Sequence, residues 1–301
     1  MHEILMIIWR NKRAFIGLML VFMFIALGIL GLYIAPFSNI RYEGSNIMPC
    51  LEHPLATDPL GRDMLVLLAN GAAKILLISL LVGLITTGVG VTLGILAGYK
   101  GGKVDSGLMA VTDIVLNIPG LPLYIAIAAY FQRVPELAYN PLVIAGVLSI
   151  TSWAGLARAI RGQVLSIKQQ PFVEASKCLG LPTRHIVFSE IAPNIMSYIA
   201  VNFIFNATGA VYAIVGLYFL GILPVDPTNW GMMLNIVYNT SGAFLTPRLY
   251  YLLIAPLLAI VLLQEGFIMF SYALEEIFNP RIRSEYYKKF KKKISRKGAK
   301  K

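Results

Sequence analysis

Six stretches of the chain are apolar for more than twenty residues, with short polar interruptions between them. They run Ala14 to Phe37, Ile75 to Tyr99, Ser106 to Phe131, Leu142 to Val164, Ile191 to Leu223 and Tyr250 to Ile277. A helix needs about 20 apolar residues to cross a bilayer, so the pattern predicts an all-α polytopic membrane protein with six transmembrane helices. The first stretch has a basic front, but it is longer than the 7–15 residues of a signal-peptide core, and no small-residue cleavage site closes it cleanly. It is read as a retained anchor.

The interruptions differ in kind. Residues 39–74 hold "HPLATDPLGRD", whose Pro, Gly and Asp mark turns. The segment 224–248 carries three Pro, two Gly and Trp230, which suits an interfacial segment rather than a span. "KGGKVD" at Lys100–Asp105 is a tight loop. "PFVEASKCLGLPTRHIVFSEIAPN", Pro171 to Asn194, reads as two short helices meeting at a turn. Pro171 fits a first helical turn, where its missing N–H costs nothing. Gly180 marks the stop, because Gly accepts the left-handed conformation there, and Thr183 is a candidate cap for the second helix. The expected organisation is residues 1–37 as a terminal segment with the first helix and 38–72 as an outer loop. A five-helix core follows over 73–278 with an inner loop at 165–190, and a basic tail over 279–301.

Charge orients this pattern. Of the 26 Lys and Arg residues, eleven follow Asn279. With both termini inside, 21 fall inside and five (Arg41, Arg62, Lys74, Arg133, Arg248) outside, the bias the positive-inside rule demands. The expectation is therefore a multi-pass cell-membrane protein with cytoplasmic N- and C-termini. The formal charge of +11 is concentrated in the tail, which predicts contact with anionic membrane lipid and no nucleic acid. The chain is 57% hydrophobic and 14% charged, with mean hydropathy +0.71, against about 25% charged in soluble domains. Cys50 and Cys178 fall on opposite sides in this topology, so no disulfide joins them, and their spacing suits no zinc site. Trp9 and Trp230 are expected as interface anchors and Trp153 as packing. Two Asn-x-Thr/Ser matches, at Asn206 and Asn239, are discounted.

The sequence offers no chemistry of its own. "GILAGYKGGKV" departs from a phosphate loop, since Val104 follows Lys103 and the Gly spacing is wrong. None of the three His has a partner recognisable in sequence for a Ser/His/Asp triad, and there is no HExxH. The chain is expected to bind no cofactor or metal and to have no catalytic residues. Polar residues inside spans are candidates for a solute pathway: Asp113, Asn117 and Pro119 in the third, Asn202 and Asn206 four apart in the fifth, and Glu265 in the middle of the sixth. An intramembrane carboxylate is costly and therefore a functional candidate. The bland alternatives are an ion pair for Asp113, interhelical hydrogen bonds for the Asn pair, and a neighbouring subunit for Glu265.

Glu174–Ala175–Ser176, then Gly180, then Pro193–Asn194 resemble the EAA loop of ABC-importer permeases. Ser176 stands where that family has a second Ala, and Ala192 where Leu is usual. "HPLATDPLGRDML", "GVTLGILAGYKGGKVD", "DIVLNIPGLPLYIAI", "WGMML" and "NPRIR" resemble the dipeptide/oligopeptide subfamily, its C-type subunit, over most of 10–283. The last turn, "ALEEIFNPRIR", departs from the subfamily's acidic pattern. The resemblance implies a type I ABC importer permease fold and a heterodimer with a second, B-type permease. It also implies two ATPase subunits that carry ATP and Mg, and an extracytoplasmic solute-binding protein. The loop would be the coupling helix that docks on an ATPase. Phe172 and Leu179 would bury against it and Glu174 would pair or cap there. Ala175, Ser176, Gly180, Thr183 and Arg184 complete the expected docking residues. The implied solute is a di- or oligopeptide, with oligosaccharides or nickel chelates as alternatives; the Lys- and Ile-rich composition would suit a thermophile, where the sugar reading gains weight. A channel or signalling membrane protein is the alternative of another class, and a membrane enzyme comes third.

Overall fold

A computed structural model of the protein describes residues 11–39, 43–240 and 250–278. The basic tail, Trp9, Arg41 and Arg248 lie outside the described residues. The described chain is helical. Five helices are long and apolar enough to cross a membrane, or six if one bent pair counts as a span.

Helix α1 (Lys12–Tyr33) begins where the Asn11 side chain accepts hydrogen bonds from the amides of Arg13 and Ala14. Asn11 also donates through Nδ2 to Glu276 at 2.9 Å. One face of α1 is small: a Cβ on Gly17 would stand 2.5 Å from Met269 Cβ, and one on Gly31 would stand 2.6 Å from the Ala69 carbonyl carbon. Small residues let membrane helices approach closely, where dispersion rather than hydrophobicity drives association.

Helix α2 (Met64–Lys100) runs 37 residues through the middle of the molecule. It is capped by Asp63, whose Oδ1 accepts from the amides of Leu65 and Val66. The sequence placed residues up to 74 in an outer loop, with the helix from Ile75. The structure corrects this: the helix begins eleven residues earlier, because Asp63 supplies the cap. Gly90, Gly94 and Gly98 lie one per turn against Leu156, Ala157, Ile160 and Val164 of α6 (Pro141–Lys168).

The third apolar stretch is not a straight span. It divides into α3 (Gly102–Asn117) and α4 (Gly120–Phe131), which meet at 75°. Pro119 lacks an N–H, and the residue before a proline is pushed out of the helical region. Ile118 accordingly sits at φ −76°, ψ 118°. A short α5 (Pro135–Tyr139) leads into α6.

Helix α7 (Pro171–Cys178) follows α6 after two residues. Helix α8 (Thr183–Phe219) opens with one turn, widens into a π-helical turn at Ile186–Ile191, and runs regularly from Ala192. The sequence began this span at Ile191, so the helix is eight residues longer at its start. Helix α9 (Trp230–Thr240) and helix α10 (Tyr250–Phe278) complete the described residues.

Three apolar clusters hold the bundle. One joins α1, α2, α8, α9 and α10 around Phe24, Leu67, Trp230 and Leu263. A second joins α2, α4, α6 and α8 around Val82, Phe131, Leu148 and Ile214. The third, around Ile160, Val164, Val173 and Ile191, seats α7 on α6 and α8. Because α1 ends beside the start of α2, and α2 ends beside Lys168, the α7 end also holds the beginning of α1 and the close of α10.

Candidate functional site: a seated helix, a broken span and a rigid head

The eight residues of α7 separate into two faces. Val173 (0% exposed) and Ser176 point into the bundle, and Ser176 Oγ donates to the Phe172 carbonyl at 3.1 Å. Phe172, Glu174, Ala175 and Leu179 point away from it, Leu179 being 77% exposed. Gly180 closes the helix at φ +72°. Its amide donates to the Lys177 carbonyl at 2.9 Å, and the Leu181 amide to the Ser176 carbonyl at 3.2 Å, the paired bonds of a Schellman closure. No heavy atom lies within 4 Å of a Cβ placed on Gly180. What demands glycine in this chain is therefore backbone conformation, not crowding.

Thr183 and Arg184 are exposed beyond the turn. Two details differ from the sequence reading. Ser176 turns inward, so it seats the helix rather than offering itself for docking. Thr183 makes no capping bond, and Pro182 occupies the cap position. The sequence reading also overlooked Phe188, which is 74% exposed and follows Arg184 by one turn. A large apolar residue beside the polar loop was the available signal.

The intramembrane polar residues scatter. Asp113 pairs with Arg158 of α6, as in its bland reading. Asn117 Nδ2 donates to the Asp113 carbonyl at 2.7 Å. Pro119 forms the break between α3 and α4. Asn202 spends its amide on the Tyr198 carbonyl at 2.8 Å, and Asn206 donates across to Thr87 Oγ1 of α2 at 3.2 Å. Glu265 is exposed in the middle of α10. Asp113, Asn117 and Pro119 share the broken span, Asn202 and Asn206 lie on α8, and Glu265 lies on α10.

The far end of the molecule carries a compact head. His53 is buried with Nδ1 at 2.7 Å from Asp63 Oδ2 and Nε2 at 2.6 Å from Glu43 Oε2. Both carboxylates accept, so the ring carries two protons. The Asp63 bond first, then the Glu43 bond, raise its pKa from 6.5 to about 9, against the opposing cost of burial. This partnership is a correction, for each partner lies ten positions away and neither was recognised in sequence. Asp58, itself buried, receives Arg62 Nε at 2.8 Å and Nη2 at 2.5 Å. Thr57 Oγ1 donates to the Gly44 carbonyl at 2.7 Å and accepts from the Ile47 amide. The His53 amide also donates to Cys50 Sγ at 3.4 Å, and the Cys50 amide to the His53 carbonyl at 3.0 Å, and with the two carboxylates these bonds clamp the loop to the start of α2.

The segment after α8 also docks on α2. Lys74 Nζ reaches Asp226 Oδ2 at 2.8 Å and Thr228 Oγ1 at 2.9 Å. Trp230 is fully buried, and its indole N–H donates to the Leu68 carbonyl at 3.0 Å. Trp230 is thus not the interface anchor expected from sequence. A membrane-boundary tryptophan and a core tryptophan look alike until their hydrogen-bond partner is known.

Residues 90–284 match the family described as "Binding-protein-dependent transport system inner membrane component". The chain is similar to the dipeptide transport system permease protein DppC of Bacillus subtilis, 30% identical over 277 residues, covering 91% of this chain and 83% of that protein. It is also similar to the oligopeptide transport system permease protein OppC of Haemophilus influenzae, 31% identical over 284 residues, covering 91% and 86%.

Proposed function

Since the chain belongs to the family of binding-protein-dependent transport system inner membrane components, and is thereby a permease subunit, we propose that it forms half of the pathway of an ATP-driven importer for di- or oligopeptides. In this reading it is not an enzyme. It pairs with a second, B-type permease in the cell membrane with both termini cytoplasmic. Two ATPase subunits bind ATP and Mg, and an extracytoplasmic binding protein delivers the solute.

The observation that carries the coupling role is the two-faced helix α7. Val173 packs it on α6 and α8 and Ser176 is buried beside it, while Phe172, Glu174 and Leu179 are exposed. An exposed Phe on α7 and an exposed Leu at its end, beside an unburied carboxylate, support a surface that another protein covers. Movement of the covering subunit would be passed to α6 and α8, which hold the helix at both ends.

The test is purification of the tagged subunit with the proteins encoded beside it, with and without Gly180→Arg. A side chain at φ +72° meets a penalty of roughly 1–2 kcal/mol, and Arg would also intrude into the docked surface. Co-purification of a second permease and ATPases, with the ATPases lost in the variant, supports the reading. A lone homo-oligomer indifferent to Gly180→Arg sinks it in favour of a channel. Uptake of a labelled tripeptide by the reconstituted complex supports the peptide assignment; uptake of an oligosaccharide instead overturns it.

A further inference from the structure

Helix α3 is the least anchored of the long helices. Of its 16 residues, Thr112 alone is buried. It begins at Gly101 and Gly102, both at positive φ (69° and 55°) with no heavy atom within 4 Å of where a Cβ would stand. It ends at the 75° break before α4. Apolar burial within the subunit therefore does little to set where α3 lies.

Charge sets it instead. Arg161 of α6 donates to Asp105 through Nε at 2.5 Å and through Nη2 at 2.6 Å, a two-pronged bond on a largely buried carboxylate. Arg158, three residues earlier on α6, pairs with Asp113. Forked guanidinium–carboxylate bonds fix orientation as well as distance. The two carboxylates are about 12 Å apart along α3, and the two arginines about 4.5 Å apart along α6. The partners follow in opposite order along the two helices, so α3 and α6 run antiparallel and are tied at two points.

Helix α6 continues from Arg161 for about 10 Å to Lys168. There Lys168 Nζ donates to the Tyr99 carbonyl at the end of α2, and its own carbonyl accepts from Lys177 Nζ of α7 at 3.4 Å. We propose that Asp105–Arg161, with Asp113–Arg158 behind it, is the tie that makes the broken span α3–α4 follow helix α7. Asp105 and Arg161 are then positioning residues for transport, acting through α6. The proposal rests on the coupling role argued above and adds the route from the docked helix to the span whose break would open or close the pathway.

The test uses the complete importer in lipid nanodiscs, nucleotide-free and trapped with ATP and vanadate. Hydrogen–deuterium exchange is read at residues 102–117 and 171–180. In the unmodified protein both segments change exchange on trapping. Asp105→Asn keeps the change at 171–180 and reduces that at 102–117 at least threefold, while Asp105→Glu retains most of it. The reversed pair Asp105→Arg with Arg161→Asp restores it. A response at 102–117 that survives Asp105→Asn and Arg161→Gln overturns the tie. So does a loss at 102–117 that the reversed pair fails to restore, which would mark a merely structural role. Silence at 171–180 in the unmodified protein overturns the coupling role itself, a failure read at a different segment.

Discussion

The Thr228 carbonyl presses against Gly71 so closely that a Cβ on Gly71 would stand 2.0 Å from that oxygen and 2.8 Å from Trp230 Nε1. Gly71 is the opening through which the segment after α8 reaches α2. Gly71→Ala should therefore gain the helix preference of Ala, up to about 1 kcal/mol, and lose more to overpacking, about 1–3 kcal/mol or beyond. The expected net result is a lower melting temperature of the detergent-solubilised subunit. Gly88, on the same helix, has open space where a Cβ would go, so Gly88→Ala should leave that temperature unchanged or raise it. Equal effects at both positions would contradict the packing described.

The two faces of α7 separate stability from docking. Val173→Ala removes two buried methyl groups, a loss of roughly 1.5 kcal/mol, and should destabilise the subunit by thermal melt. Phe172→Ala, on the outward face, should leave the melt unchanged and weaken retention of the ATPases. If Phe172→Ala lowers the melting temperature as much as Val173→Ala, the assignment of faces is wrong.

The His53 clamp predicts a pH dependence with a definite sign. Its folded pKa, about 9, lies above the ordinary 6.5 because of Asp63 and Glu43. The stabilisation is therefore full below pH 6.5 and is lost as pH rises through about 9. Proteolysis of the segment 43–63 should accelerate across that window in the natural protein. In His53→Asn it should be faster at neutral pH and lose that dependence. An unchanged pH profile in the variant would show that the imidazolium is not what holds the head.

Glu265 sits exposed about 20 Å from either end of α10, with Val261 and Leu262 exposed beside it. In the isolated subunit a carboxylate there opposes membrane insertion by a few kcal/mol. Glu265→Leu should raise the yield and thermal stability of the subunit expressed alone. A lower stability would mean that the carboxylate is paired within the chain after all.

Much of this architecture was legible because membrane helices announce themselves by length. The third span shows the limit. Pro119 was visible, and the conformational restriction it places on Ile118 is local, but whether a proline kinks a span or divides it depends on what neighbours satisfy the freed groups. The Gly180 turn could be read outright, since a Schellman closure is local chemistry. By contrast, Trp230 was misplaced because its partner, the Leu68 carbonyl, lies 162 positions away. The same distance in sequence hid the ion pair of Arg161 with Asp105, 56 positions off. The signal for His53 was equally out of reach, since two carboxylates ten residues to either side become a clamp once the loop between them has folded back.

Helix α2 is about 55 Å long, nearly twice the roughly 30 Å hydrocarbon thickness of a bilayer. The surplus at the far end is where Asp63 caps the helix and holds His53, where Asn70 takes the Ala35 carbonyl, and where Lys74 takes Asp226. At the other end Tyr99 is pinned by Lys168. The molecule thus contains a push-rod with fittings at both tips, and no described break between them. The contacts of the head and the contact with Lys168 are thus held at the two ends of one and the same helix.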